Sequence, residues 1–143
     1  MPEIADLEGG VVAYLKTGPF VTALTGTRIF GGELPAAETA AMPRHAIVVR
    51  ASGGSSLTGE STNQHDTQRL DVFAFGPTPR EAARVMRAAA YHLRGLTRSV
   101  HGGVLLHWAV PASGSLAGRE PETEWPRQFQ SFQVMHGLLT IEE

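Results

Sequence analysis

Six histidines, no cysteine and a cluster of arginines limit the chemistry open to this 143-residue chain. His45, His65, His92, His101, His107 and His136 include no pair at i,i+2 on one expected strand and none at i,i+4 on one expected helix. A metal needs ligands that converge from such spacings, so no metal site and no other cofactor is expected. His65 and Asp66 adjoin in an expected loop, and His107 and His136 are placed where a hairpin could join them, with no carboxylate beside either. The lack of cysteine removes disulfides, thiolate zinc sites and cysteine nucleophiles together. No Gly-x-Ser-x-Gly elbow presents a serine, and His101-Gly102-Gly103 is explained by a turn entering a strand. Gly31-Gly32-Glu33 and Ser52-Gly53-Gly54-Ser55 lack the lysine and the strand–loop–helix setting of a phosphate cradle. Glu120, Glu122 and Glu124 share a loop and read as solvated. No catalytic residue is identified, and an enzyme is not expected.

The arginines are more informative. At about 100° per residue, Ala82, Val85, Met86, Ala89, Leu93 and Leu96 share one helical face, while Arg80, Arg84, Arg87 and Arg94 lie opposite, around Tyr91. Arg98 extends the stripe if the last turn continues. Only Glu81 interrupts it. Acidic residues outnumber basic ones in residues 1–40 and again in 119–143, so the charge is segregated although the net value is only −2. Arginine makes bidentate contacts and is enriched at interfaces where lysine is depleted, and no lysine joins this stripe. Arg80, Arg84, Arg87, Tyr91, Arg94 and Arg98 are therefore expected at a subunit or partner interface. Trp125, beside Pro126 at a loop end, is expected to anchor that loop and to join the contact surface.

These residues need a scaffold, and 15.3 kDa with 42% apolar residues suits one domain over 1–143. Ile4, Leu7, Val11, Tyr14 and Leu15 predict a helix over about residues 4–17, in which Gly9 and Gly10 each cost roughly 1 kcal/mol and demand tertiary support. Pro19–Leu24 adds a turn, Arg28–Phe30 is extended, and 31–43 reads as an irregular connection. Strands follow over 45–51 and 67–75. Thr78-Pro79-Arg80-Glu81 is a capping box that opens a helix ending near Gly95. Strands over 104–110 and 129–141 complete the pattern, the last with a bulge between Phe129 and Phe132.

The order α-β-β-α-β-β predicts an α+β fold with a four-stranded antiparallel or mixed sheet covered by helices. Ile47, Val49, Leu70, Val72, Val85, Met86, Ala89, Leu93, Leu106, Trp108 and Val134 are the expected core. Two long polar loops, 52–66 and 112–126, are expected at opposite ends of the sheet, as in a part that touches something above and something below. The Gly/Ser-rich loop 52–66 is expected to be mobile in the isolated chain and to order on a partner. No segment suits a membrane span, and the acidic opening Met1-Pro2-Glu3-Ile4-Ala5-Asp6 is unlike a secretory leader, so a soluble protein made in the cytosol is expected.

The chain resembles the tail terminators, or tail-completion proteins, of long-tailed bacteriophages and gene transfer agents. The likeness lies in order and spacing over nearly the whole chain. A helix ends in Leu15-Lys16-Thr17, then come Phe20-Val21-Thr22-Ala23-Leu24 and Gly26-Thr27-Arg28-Ile29-Phe30. A connection bearing Pro35 and Pro43 leads to Ile47-Val48-Val49-Arg50, and Arg69 to Phe75 precedes Thr78 and the helix ending Leu93-Arg94-Gly95-Leu96. A long hairpin closes with Phe129 to Val134. The resemblance implies a six-membered ring at the neck end of the virion tail, assembled in the host cytoplasm. It would cap the tail tube, end its growth and join a neck or head-closure protein, with DNA passing through without sequence-specific binding. The alternative of the same class is a head–tail connector ring. A small-ligand domain or enzyme, or a nucleic-acid module using the arginine stripe, are the alternatives of other classes.

Overall fold

The computed structural model describes residues 2–53 and 64–141. Helix α1 (Leu7–Leu15) is capped by Asp6, whose carboxylate accepts the Gly9 N–H at 3.1 Å. Leu7, Val11, Tyr14 and Leu15 are buried at the expected spacing, but Ile4 precedes the cap and is 83% exposed. Gly10 earns its place through packing: a Cβ there would stand 2.7 Å from Val104 Cβ, so glycine lets the helix lie against the sheet.

Helix α2 (Pro19–Thr25) and strand β1 (Ile29–Gly31) follow, and a single turn, α3 (Ala36–Thr39), sits within the expected irregular connection. Strands β2 (Ala46–Gly53) and β3 (His65–Phe75) flank an expected mobile arm of which residues 54–63 lie outside the described residues. Then come α4 (Pro79–Arg94), β4 (Ser99–His101), β5 (Val104–Pro111), β6 (Leu116–Arg119) and β7 (Pro126–Gly137). The α+β class stands, but the sheet differs from the expected four strands. It has seven, in the order β1-β2-β3-β7-β5-β4, with β6 also pairing β7. All described pairings are antiparallel except β1 with β2, which is parallel.

The extra strands are short, and each has a tertiary cause. β1 gains its place through the crossover that returns to β2. β4 folds back on β5 through Gly102 and Gly103, whose φ values of 57° and 78° suit the two-residue hairpin turn that follows strand twist. β6 lies inside the expected loop 112–126 and continues the β5 track along the same edge of β7. Between them, Ser113 bridges the gap: its hydroxyl accepts the Ser131 N–H at 3.0 Å, and its carbonyl accepts the Gln130 amide at 3.1 Å. The loop is thus reduced to the tip 120–125, where the Glu120 carboxylate accepts from the Thr123 N–H, the Thr123 hydroxyl and the Glu122 N–H. The opposed ends stand, because β3 pairs with β7 from His65↔Gly137 to Phe75↔Arg127. The β6–β7 tip therefore lies beside Phe75, and the β2–β3 opening lies at the far end.

The bulge also moves. β7 pairs with β3 without a register shift; the irregularity is in β5, between Leu106 and Trp108. Phe129 and Phe132 face opposite sides of one regular strand, each covered: Phe132 in the core, Phe129 against Phe73 with ring centroids 5.3 Å apart. The bulge corrects one core assignment. His107 is the extra residue, so Ala109 takes the core side opposite Val134, while Trp108 pairs with Met135 on the outer face and is only partly buried. The other ten expected core residues are all buried, between one face of the sheet and α1, α2 and α4.

Candidate subunit interface

Helix α4 builds the site. Thr78 caps it by accepting the Glu81 N–H at 3.2 Å, and Pro79 opens the first turn. Only half of the expected capping box forms. The Glu81 carboxylate turns to His45 at 2.8 Å and Arg84 at 3.3 Å instead of returning to the cap, and the His45 hydrogen bond leads in holding it below the usual carboxylate range. Ala82, Val85, Met86, Ala89 and Leu93 are buried, which turns Arg80, Arg84, Arg87, Tyr91 and Arg94 outward, all exposed. Arg84 meets Glu81; among the described residues no ion pair is made by Arg80, Arg87 or Arg94.

Two expected members lie elsewhere. The helix ends at Arg94, so Arg98 is not on the stripe; it sits just before β4, where its charge reaches His107. Trp125 stands at the β6–β7 tip on the opposite side of the sheet, edge-on to Phe75 with centroids 6.3 Å apart. It packs with Ala46, Val48 and Phe75 and anchors the tip, as expected of a loop-end tryptophan.

The turn expected over Pro19–Leu24 is α2, and what the residue pattern missed is its share in this surface. A groove of about 350 Å³ runs between α2 and α4, lined by Phe20, Ala23, Leu24, Ala88 and Tyr91 with Arg84 and Arg87 at its rim. Phe20 and Tyr91 are 64% and 67% exposed and meet edge to face at 5.8 Å. The single available signal was a phenylalanine next to Pro19 in a segment too short to show periodicity. A larger groove on the outer sheet face, about 410 Å³, is lined by Glu33, Glu120 and Glu122 and by Arg50 and Arg127, three carboxylates against two guanidiniums.

The α1–α2–α4 junction fixes the groove. His92 stacks on Tyr14 with centroids 4.1 Å apart, its Nε2–H donates to the Tyr14 carbonyl at 3.0 Å, and the Tyr14 hydroxyl donates to the His92 carbonyl at 2.7 Å. Arg28 holds the far end of α2, donating to the carbonyls of Leu24 and His45. Burial pushes His92 below the ordinary histidine value of 6.5, against the opposing effect of the Tyr14 hydrogen bond. Burial also lowers His107, with further help from His65, whose Nδ1 lies 3.0 Å from His107 Nε2. His107 therefore meets His65, not His136, whose Nδ1 donates to the Gly137 carbonyl.

These shifts carry a pH dependence. Below 6.5 the unfolded chain binds protons that the folded chain resists, so stability is complete above that value and falls as pH drops through the window beneath it. The melting temperature is expected to be lower at pH 5.5 than at 7.5. His92→Gln, which keeps a donor for the Tyr14 carbonyl, should flatten that difference; thermal melts of both proteins across the range are the check.

The family model described as tail completion protein gp17 matches residues 9–137. A chain of the virion of a native gene transfer agent particle superposes with a TM-score of 0.65 at 16% sequence identity, over 92% of this chain and 94% of that one. At that identity the likeness is one of fold. No curated protein matches.

Proposed function

Because this chain belongs to the tail completion protein gp17 family and so is a structural protein of the virion tail, we propose that it forms a ring of six copies capping the tail tube. The ring ends tube polymerisation and offers its other face to the neck or head-closure protein, at the neck end of a tail assembled in the host cytoplasm. DNA passes through it without sequence-specific contacts. The whole chain, 1–143, acts as one unit of that ring. The family match over residues 9–137 is the observation that carries this reading.

Physical features of the chain support it. A contact between two different patches of identical chains closes into a ring when its rotation permits. This chain carries an exposed arginine stripe in its middle and an excess of acid toward both ends of its sequence. The hairpin tip and the β2–β3 opening lie at opposite ends of the sheet, which suits contacts above and below a ring. Size-exclusion chromatography with light scattering, with and without tube protein, is the test. A mass six times the 15.3 kDa of one chain is expected, on the tube where the free chain stays single. A monomer under every condition, tube protein included, overturns the ring.

A further inference from the structure

Seven large apolar side chains are exposed among the described residues, and five of them fall in two patches. The first is the groove of Phe20 and Tyr91 with its arginine rim. The second is a ridge formed where the segment before α1 meets the segment after β7. There Ile4 bridges Leu139, the Ala5 N–H donates to the Leu138 carbonyl at 2.8 Å, and the Thr140 N–H donates to the Glu3 carbonyl at 2.7 Å. The Glu3 N–H donates to the Thr140 hydroxyl, and the Ile141 N–H to the Gly103 carbonyl, so the ridge has a fixed backbone. Residues directly opposite in an antiparallel bridge share a side. Ile4 and Leu139 accordingly point together, with Ile141 two residues beyond Leu139, and the three are 83%, 54% and 40% exposed. Glu3 and Asp6 flank Ile4 and are exposed as well.

The two patches match in both properties. One is concave, aromatic and lined with Arg84 and Arg87; the other is an exposed aliphatic row with Glu3 and Asp6 on either side of Ile4 in the chain, Asp6 also capping α1. They belong to opposite ends of α1, since the ridge precedes its N-cap and α2 begins beyond its last turn. A chain cannot satisfy its own groove this way, but successive copies can. The acidic hairpin tip is a poorer occupant. Glu122 and Glu124 are exposed there, but its large apolar side chain, Trp125, is packed on Phe75 and does not present an apolar row to a groove.

We propose that the arginine-rimmed groove between α2 and α4 of one copy receives the Ile4–Leu139–Ile141 ridge of the next copy, as the repeating contact of the ring. This rests on the ring reading above, and specifies which surfaces make the ring.

The chain has no cysteine, so introduced thiols are unique. Ile4→Cys and Tyr91→Cys alter exposed positions and leave the core untouched. Mixed under conditions where the wild-type protein self-associates, and treated with a short bis-maleimide, the two variants should give a dimer containing one of each. Neither variant alone should give more than background, and the double variant should give a ladder ending at the ring. A variant that folds but loses the self-association of wild type also supports the contact, because each position is solvent-exposed in the single chain. Self-association that persists in both variants without the mixed cross-link overturns the ridge-in-groove contact and leaves the ring standing. A wild-type chain that stays monomeric even on tube protein overturns both.

Discussion

Reversing Arg84 and Arg87 to glutamate is expected to leave a folded chain that no longer completes tails. Both side chains are exposed, and the one described ion pair between them and the rest of the chain is Arg84 with Glu81, an i,i+3 contact at 3.3 Å. Exposed pairs of this kind are worth about 0–1 kcal/mol, so the melting temperature should move by only a few degrees. At an interface the arithmetic differs. Four units of charge change on one surface, and like charges facing each other cost an association several kcal/mol. The double variant should therefore fail in complementation, leaving tails that are overlong or unjoined to heads when viewed by electron microscopy. A variant that folds and yields a normal number of infectious particles would show the stripe to be an ordinary solvated face. The same experiment on Arg98 provides a contrast, since Arg98 lies beyond the end of α4 and is expected to tolerate reversal.

Truncating Phe132 should produce the largest loss of stability from a single change. Phe132 is fully buried on β7, the strand that pairs with β3 along one edge and with β5 and β6 along the other. A buried phenylalanine reduced to alanine typically costs about 3–5 kcal/mol, because the lost transfer energy adds to that of the cavity. For a domain of this size each kcal/mol lowers the melting temperature by roughly 2–4 °C, so a fall on the order of 10 °C is expected for Phe132→Ala. Leu93→Ala, on the α4 face that covers β7, should cost about 2–5 kcal/mol by the same reasoning. Denaturant titrations of both variants give the comparison. A change under 1 kcal/mol at either position would mean that the helix face or the strand parity described here is wrong.

Strand parity marks the limit of what residue order can tell. The alternate positions Leu70 and Val72 and the helical row Ala82, Val85, Met86, Ala89, Leu93 are local patterns, and each lands in the core as read. Trp108 does not, because a bulge at His107 flips every residue after it, and nothing in Val104–Val110 announces one extra residue. Phe129 and Phe132 suggested a bulge where none exists, since both faces of β7 are covered and apolar residues on either side break the alternation without breaking the strand.

The sequence by itself determined the α+β class, the helices α1 and α4, the outward arginines of α4 and the long terminal hairpin. These depend on interactions between residues a few positions apart: caps, apolar periodicity and the exclusion of arginine from a core. The resemblance to tail-completion proteins was likewise legible from the order and spacing of those elements, and the family match agrees. Only the tertiary structure decided the rest. β4 and β6 are three and four residues long, too short for periodicity, and exist because a longer neighbour offers a hydrogen-bonding edge; the extended piece read at Arg28–Phe30 becomes β1 by pairing with β2 in the same way. The Phe20–Tyr91 groove joins residues 71 positions apart, and the Ile4–Leu139 ridge joins residues 135 apart. A surface of that kind has no local signature, because its apolar side chains differ from core residues only in what fails to cover them.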